Sequence, residues 1–129
     1  MEGKGRDIME NLILVVDDAK FARVVAKRAL QNGGYENIIE AKTAAEALEL
    51  FQERQPDLTL LDITLPDNTD LTLLKKLLEI NPKASIVMNS AIGQELIIKD
   101  AVKAGAKDFI IKPFEEKQFL ETVNKALGV

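Results

Sequence analysis

One pattern constrains the fold of this chain more than any other: five times, a short apolar run gives way to a stretch whose apolar residues recur at helical spacing. Residues 11–16 (NLILVV) are apolar up to Asp17 and Asp18, as a strand buried on both faces reads. Residues 19–31 follow with Phe21, Val24, Val25, Ala29 and Leu30 at helical intervals, and Gly33-Gly34 supplies a left-handed stop. Residues 38–41 make a second strand. Thr43 with Glu46 forms a capping box, which opens a helix through Leu48, Leu50 and Phe51 to Pro56. Residues 58–61 lead into Asp62 as a third strand, and 71–80 form a helix closed by Asn81-Pro82. The remaining pairs are 85–88 with 94–104, capped by Gly105, and 109–111 with 115–127.

Five such units predict an α/β fold, because parallel strands need right-handed helical crossovers. The expected form is a single doubly wound, five-stranded parallel sheet of flavodoxin-like order 2-1-3-4-5, a (βα)5 domain over residues 11–129. Residues 1–10, with Gly3, Lys4, Gly5, Arg6 and three acids, read as a flexible N-terminal extension. A chain of 129 residues that is 47% hydrophobic can bury one core, and no second domain is expected.

Sheets of this kind bind ligands beyond the carboxyl ends of their strands, here between the first and third. The first strand ends in Asp17-Asp18 and the third in Asp62, so three carboxylates should face one crevice. Two unit charges about 4 Å apart repel by roughly 4 kcal/mol at an effective dielectric of 20, so the cluster calls for a proton or a cation. A hard divalent ion such as Mg²⁺ suits oxygen ligands of this sort. The fourth strand leads to Ser90 and the fifth to Lys112, which place a hydroxyl and an ammonium where charge on a phosphoryl group would need them. Singly, Asp18 reads as a helix N-cap, and Asp62, Ser90 and Lys112 as turn chemistry or solvated charge. Their conjunction at successive strand ends reads as a site.

Composition removes the alternatives. The chain has no histidine, so a Ser-His-Asp triad, an imidazole base, an ordinary zinc site and a histidine phosphocarrier are all excluded. With no cysteine, there are no disulfides or thiolate metal sites, in keeping with a cytoplasmic location. A net charge of −4 without a basic stripe argues against nucleic acid, and no signal peptide or membrane span is evident.

The stretches 14–18 (LVVDD), 61–66 (LDITLP), 89–91 (NSA) and 104–114 (AGAKDFIIKPF) resemble the CheY-like receiver family of two-component signalling, and the likeness runs from about Leu12 to Leu127. By that resemblance Asp62 is the phosphoacceptor. Asp17, Asp18, Asp62 and the backbone carbonyl of Thr64 would bind Mg²⁺, and Lys112 would contact the phosphoryl group, its bond to Pro113 being typically cis. On phosphorylation Ser90 would move its hydroxyl toward a phosphoryl oxygen while Phe109 turns inward. Many chemotaxis members have tyrosine there, so Phe109 would act by packing alone. The family usually has glycine where Asp70 stands, which implies strain or an altered turn there.

The resemblance implies a response regulator that is phosphorylated by a histidine kinase and signals by binding a downstream target, with a phosphatase as a further partner. No output segment is expected after the last helix, and the domain is expected to be a monomer. It would catalyse only its own phosphorylation and dephosphorylation. Residues around Phe21 and 90–94 (SAIGQ) are similar to chemotaxis CheY proteins, which suggests the flagellar motor switch as target. Consecutive Leu96, Ile97 and Ile98 cannot all face the core, so one should be exposed. Three other readings compete: a phosphorelay intermediate passing phosphate to a histidine phosphotransfer protein, a haloacid dehalogenase-type phosphatase, and a flavin mononucleotide binder. The phosphatase motif needs a second aspartate where Thr64 stands, and Asp17 and Asp18 would repel the flavin's phosphate.

Overall fold

The computed structural model describes residues 10–68 and 70–129. Strands and helices alternate without exception: β1 (Leu12–Val16), α1 (Lys20–Asn32), β2 (Asn37–Ala41), α2 (Ala44–Arg54), β3 (Leu58–Asp62), α3 (Thr72–Ile80), β4 (Ile86–Ala91), α4 (Glu95–Ala104), β5 (Asp108–Lys112) and α5 (Glu116–Leu127). All four strand pairings are parallel, in the order β2-β1-β3-β4-β5. The expected fold is the observed one. The N-terminal extension expected over residues 1–10 lies, but for Glu10, outside the described residues.

Alternate residues of each strand enter opposite layers. Leu14, Val16, Leu61 and Met88 pack with Phe51, Leu73, Leu77 and Ile98 from α2, α3 and α4. Ile13, Val15, Leu58, Leu60 and Val87 pack with Leu30, Phe119 and Val123 from α1 and α5. Every residue of β3 is buried, as a central strand covered on both faces requires.

Helix ends follow the expected chemistry with two refinements. Thr43 Oγ1 accepts the Glu46 N–H at 3.1 Å, and the Glu46 carboxylate reaches back to the Lys42 N–H at 2.9 Å rather than to that of Thr43 itself. After α1 the left-handed residue is Gly34 (φ 96°), whereas Gly33 has φ −88°. Gly33 instead lies against α5, where a Cβ would press on the Leu120 side chain and require it to shift. At the start of α3 the Asp70 carboxylate accepts the Thr72 N–H at 2.9 Å, and Asn68 Oδ1 accepts that of Leu73 at 3.2 Å. Side-chain acceptors thus satisfy amides that the helix itself leaves open.

Strand β4 runs further than the apolar run suggests. Asn89, Ser90 and Ala91 continue its pairing with β5, so Ser90 lies inside the strand as its penultimate residue.

Candidate functional site

The carboxyl ends of β1, β3 and β5 bring Asp17, Asp18, Asp62 and Lys112 into one crevice. Asp17 is buried; its Oδ1 accepts the Ala19 N–H at 3.0 Å and its Oδ2 accepts a hydrogen bond from Lys112 Nζ at 2.7 Å. The N-cap position of α1 is Ala19, with no side-chain cap bond, so Asp18 does not cap the helix and stands exposed at the crevice. Asp62 closes β3, its Oδ1 accepting the Thr64 N–H at 3.1 Å and its Oδ2 standing 3.6 Å from Lys112 Nζ. One oxygen from each of Asp17, Asp18 and Asp62 lies within 4.8 Å of the other two.

Charge is not balanced here. Burial, reinforced by the neighbouring Asp17, pushes the Asp62 carboxyl up to about 6, against the opposing pull of the Thr64 amide and Lys112. Burial also works against the charge on Lys112, but its pairing with Asp17 and Asp62 prevails and holds its pKa above the usual value. A single ammonium among three carboxylates leaves the crevice short of positive charge. The donor set is all oxygen and converges from two strand ends, and it fits a hard divalent cation better than a soft or redox metal.

Ser90 is fully buried, and its Oγ has no partner among the described residues. Phe109 is the second residue of β5 and is 40% exposed, so in this state its ring is not a core side chain. Thr64 is exposed, and its hydroxyl accepts a hydrogen bond from Gln94 Nε2 at 3.1 Å. The Lys112–Pro113 peptide is cis. In α4, Ile98 is buried, Ile97 packs against the core and Leu96 is 80% exposed, as the run of three apolar residues implied.

Sequence reasoning passed over four polar residues around the crevice. Arg23 Nη1 donates to the Asp17 carbonyl at 2.7 Å, an i to i+6 reach from a helix that no motif signals. Asn89, in register with Asp62 on the adjacent strand, is buried with an Oδ1 that finds no partner among the described residues. Asp67 accepts the Ala44 and Ala45 N–H groups at 2.8 and 3.2 Å, tying the β3–α3 loop to the start of α2. Gln94 Oε1 accepts the Ala91 N–H at 2.7 Å.

Comparison with known proteins agrees with this geometry. Residues 13–124 match the model of the response regulator receiver domain. The chemotaxis protein CheY of Bacillus subtilis is 45% identical over 120 residues, covering 93% of this chain and 100% of that one. The CheY of Thermotoga maritima is 41% identical, covering 91% and 98%. Among solved structures, the receiver domain of NtrX from Brucella abortus superposes with a TM-score of 0.85 at 34% identity, covering 91% of this chain and 98% of that one. Against a longer NtrX chain, this one spans only 26%. No helix among the described residues is long and apolar enough to cross a membrane.

Proposed function

The chain belongs to the response regulator receiver family, and from that premise we propose that it takes a phosphoryl group from a histidine kinase onto Asp62, with Mg²⁺, and signals by phosphorylation-dependent binding. Receiver domains accept phosphate from histidine kinases and act on downstream targets. The observation that carries the assignment is the position of Asp62: a buried carboxylate at a central strand end, 3.6 Å from a cation and beside two further carboxylates.

In this reading an Asp62 oxygen attacks phosphorus, the P–N bond to the donor imidazole breaks, and the product is an acyl phosphate. Asp17, Asp18, Asp62 and the Thr64 carbonyl are the residues that would hold Mg²⁺, which when bound supplies the positive charge the crevice lacks. Lys112 already stands within reach of Asp62 and would pair with the phosphoryl oxygens. The unpartnered Ser90 hydroxyl is a donor available to the new group, and the half-exposed Phe109 would turn inward as Ser90 moves. The chemistry is confined to self-phosphorylation and autodephosphorylation, with a partner phosphatase acting on the same acyl phosphate.

The downstream target we assign is the flagellar motor switch, in a cytoplasmic chemotaxis pathway. Two things support it: the relatives named CheY in Bacillus subtilis and Thermotoga maritima, and the exposed apolar side chains Leu96, Val102 and Phe109 on α4 and β5.

The deciding experiment is intact-mass measurement after exposure to acetyl phosphate or phosphoramidate, with and without Mg²⁺, on wild type and Asp62→Ala. A Mg²⁺-dependent gain of one phosphoryl group, absent from the variant, is expected. No gain, or gain at another residue, overturns the assignment.

A further inference from the structure

Gln94 precedes α4 as its N-cap residue, yet its side chain makes no cap bond to its own helix. Both ends of the carboxamide are committed elsewhere. The oxygen accepts the Ala91 N–H at 2.7 Å, and the nitrogen donates to Thr64 Oγ1 at 3.1 Å. One side chain therefore joins the β4–α4 loop to the β3–α3 loop across the mouth of the crevice.

Little else holds the first of these loops. Ile92 is 75% exposed, and Gly93, at φ +99°, would meet nothing within 4 Å if it carried a Cβ. Packing does not fix these two residues, so the bonds made by Gln94 set where the loop sits. The positive φ of Gly93 is what lets the chain reverse so that Gln94 reaches back to Ala91. Ala91 follows directly on Ser90, whose buried hydroxyl has no partner among the described residues, and it lies in register with Lys112. A displacement of Ser90 would carry the adjoining Ala91 amide with it and strain its bond to Gln94.

We propose that Gln94 is a positioning residue for the phosphoryl site, acting through the Ala91 amide and the Thr64 hydroxyl to hold the end of β4 at Ser90 and the β4–α4 loop in the arrangement seen here. This deepens, and rests on, the assignment of Asp62 as phosphoacceptor. The tie must open before Ser90 can serve the acyl phosphate, so it opposes the phosphorylated arrangement. Removing it should speed phosphorylation by about two- to tenfold, the range that one or two partly exposed hydrogen bonds command.

The test compares wild type, Gln94→Ala, Thr64→Val and the double variant; Thr64→Val removes the hydroxyl and keeps the backbone carbonyl. Amide exchange by NMR on the unphosphorylated proteins should show faster exchange at Ala91 in Gln94→Ala, with the protection of β1 and β3 unchanged. Phosphorylation by acetyl phosphate, followed by intact mass, should accelerate in both single variants. Because both act on one tie, the double variant should gain less than the product of the two. Unchanged exchange at Ala91, an unchanged or slower reaction, or independent multiplication of the two effects overturns the proposal. A wild type that takes no phosphoryl group on Asp62 defeats the parent assignment instead, whereas a phosphorylated wild type matched in rate by Gln94→Ala defeats this inference alone.

Discussion

Two clusters of charge, one between α1 and β2 and one at the carboxyl ends of β1, β3 and β5, behave in opposite ways. At the surface, Glu40 on edge strand β2 accepts from Arg23 Nε at 2.9 Å and from Lys27 Nζ at 3.0 Å. Its hydrogen bond to Lys27 outweighs a modest burial penalty, and with Arg23 it holds the carboxyl below the usual range. In the crevice, burial dominates and the Asp62 carboxyl is held above it. The contacts are of the same kind, a carboxylate beside a cation, but the surface cluster has two cations for one acid and the crevice one ammonium for three acids. The first is a modest source of stability. The second is a debt of charge that only an incoming cation or proton can settle, which is what makes it a site.

Replacing Asp62 should widen that contrast most. Asp62→Ala is expected to abolish phosphorylation while raising stability in metal-free buffer at neutral pH by about 1–2 kcal/mol, discounted for residual exposure of the carboxyl. Its folded pKa lies above the unfolded one, so its contribution to stability is fully present below about pH 4 and lost as pH rises through 6. The advantage of the variant over wild type should therefore vanish in acid, as urea unfolding at a series of pH values would read. A variant less stable than wild type at pH 7 would show that the carboxyl is a structural asset.

Lys112→Ala should act in the opposite sense. It leaves Asp17 buried without its 2.7 Å partner and should cost about 2 kcal/mol in metal-free buffer. Mg²⁺ should restore much of that loss, because the ion replaces the missing charge, while the conformational response to phosphorylation stays impaired. A normal response, followed by NMR shifts at Phe109, would remove Lys112 from the switch.

The smallest effect belongs to the surface. Glu40→Gln should cost about 0.2–1 kcal/mol at neutral pH, less in high salt. Glu40 has a depressed pKa, so its contribution is present above its unfolded pKa and lost as pH falls through the folded one, and the variant should match wild type in acid. A cost comparable to that of Lys112→Ala would erase the distinction between the clusters.

How much of this was written in the sequence differs between backbone and side chain. The five βα units were legible because strands buried on both faces must be apolar throughout, and the acids after β1 and at the end of β3 and the lysine at the end of β5 mark where the apolar runs stop. The extent of β4 was not, because Asn89 and Ser90 are polar and read as loop, although backbone pairing with β5 keeps them in the strand. Gln94, Asp67 and Arg23 were illegible for another reason: each acts on a backbone atom or a residue of a distant loop, and that proximity exists only after the sheet has set its register. Asp70 was recognised as a departure, but its replacement bond to Thr72 needed coordinates.

The strand order leaves β5 at the margin of the sheet, with one ladder of backbone groups open to a neighbouring chain. Its sequence is a short aromatic and β-branched core, Phe109, Ile110 and Ile111, with Asp108 before it and Lys112 after it. Charged stops at both ends of so short a segment are what keeps an open edge from recruiting copies of itself. Lys112, whose ammonium faces the carboxylates, is thus at the same time one of the two charged residues that bound the open edge strand.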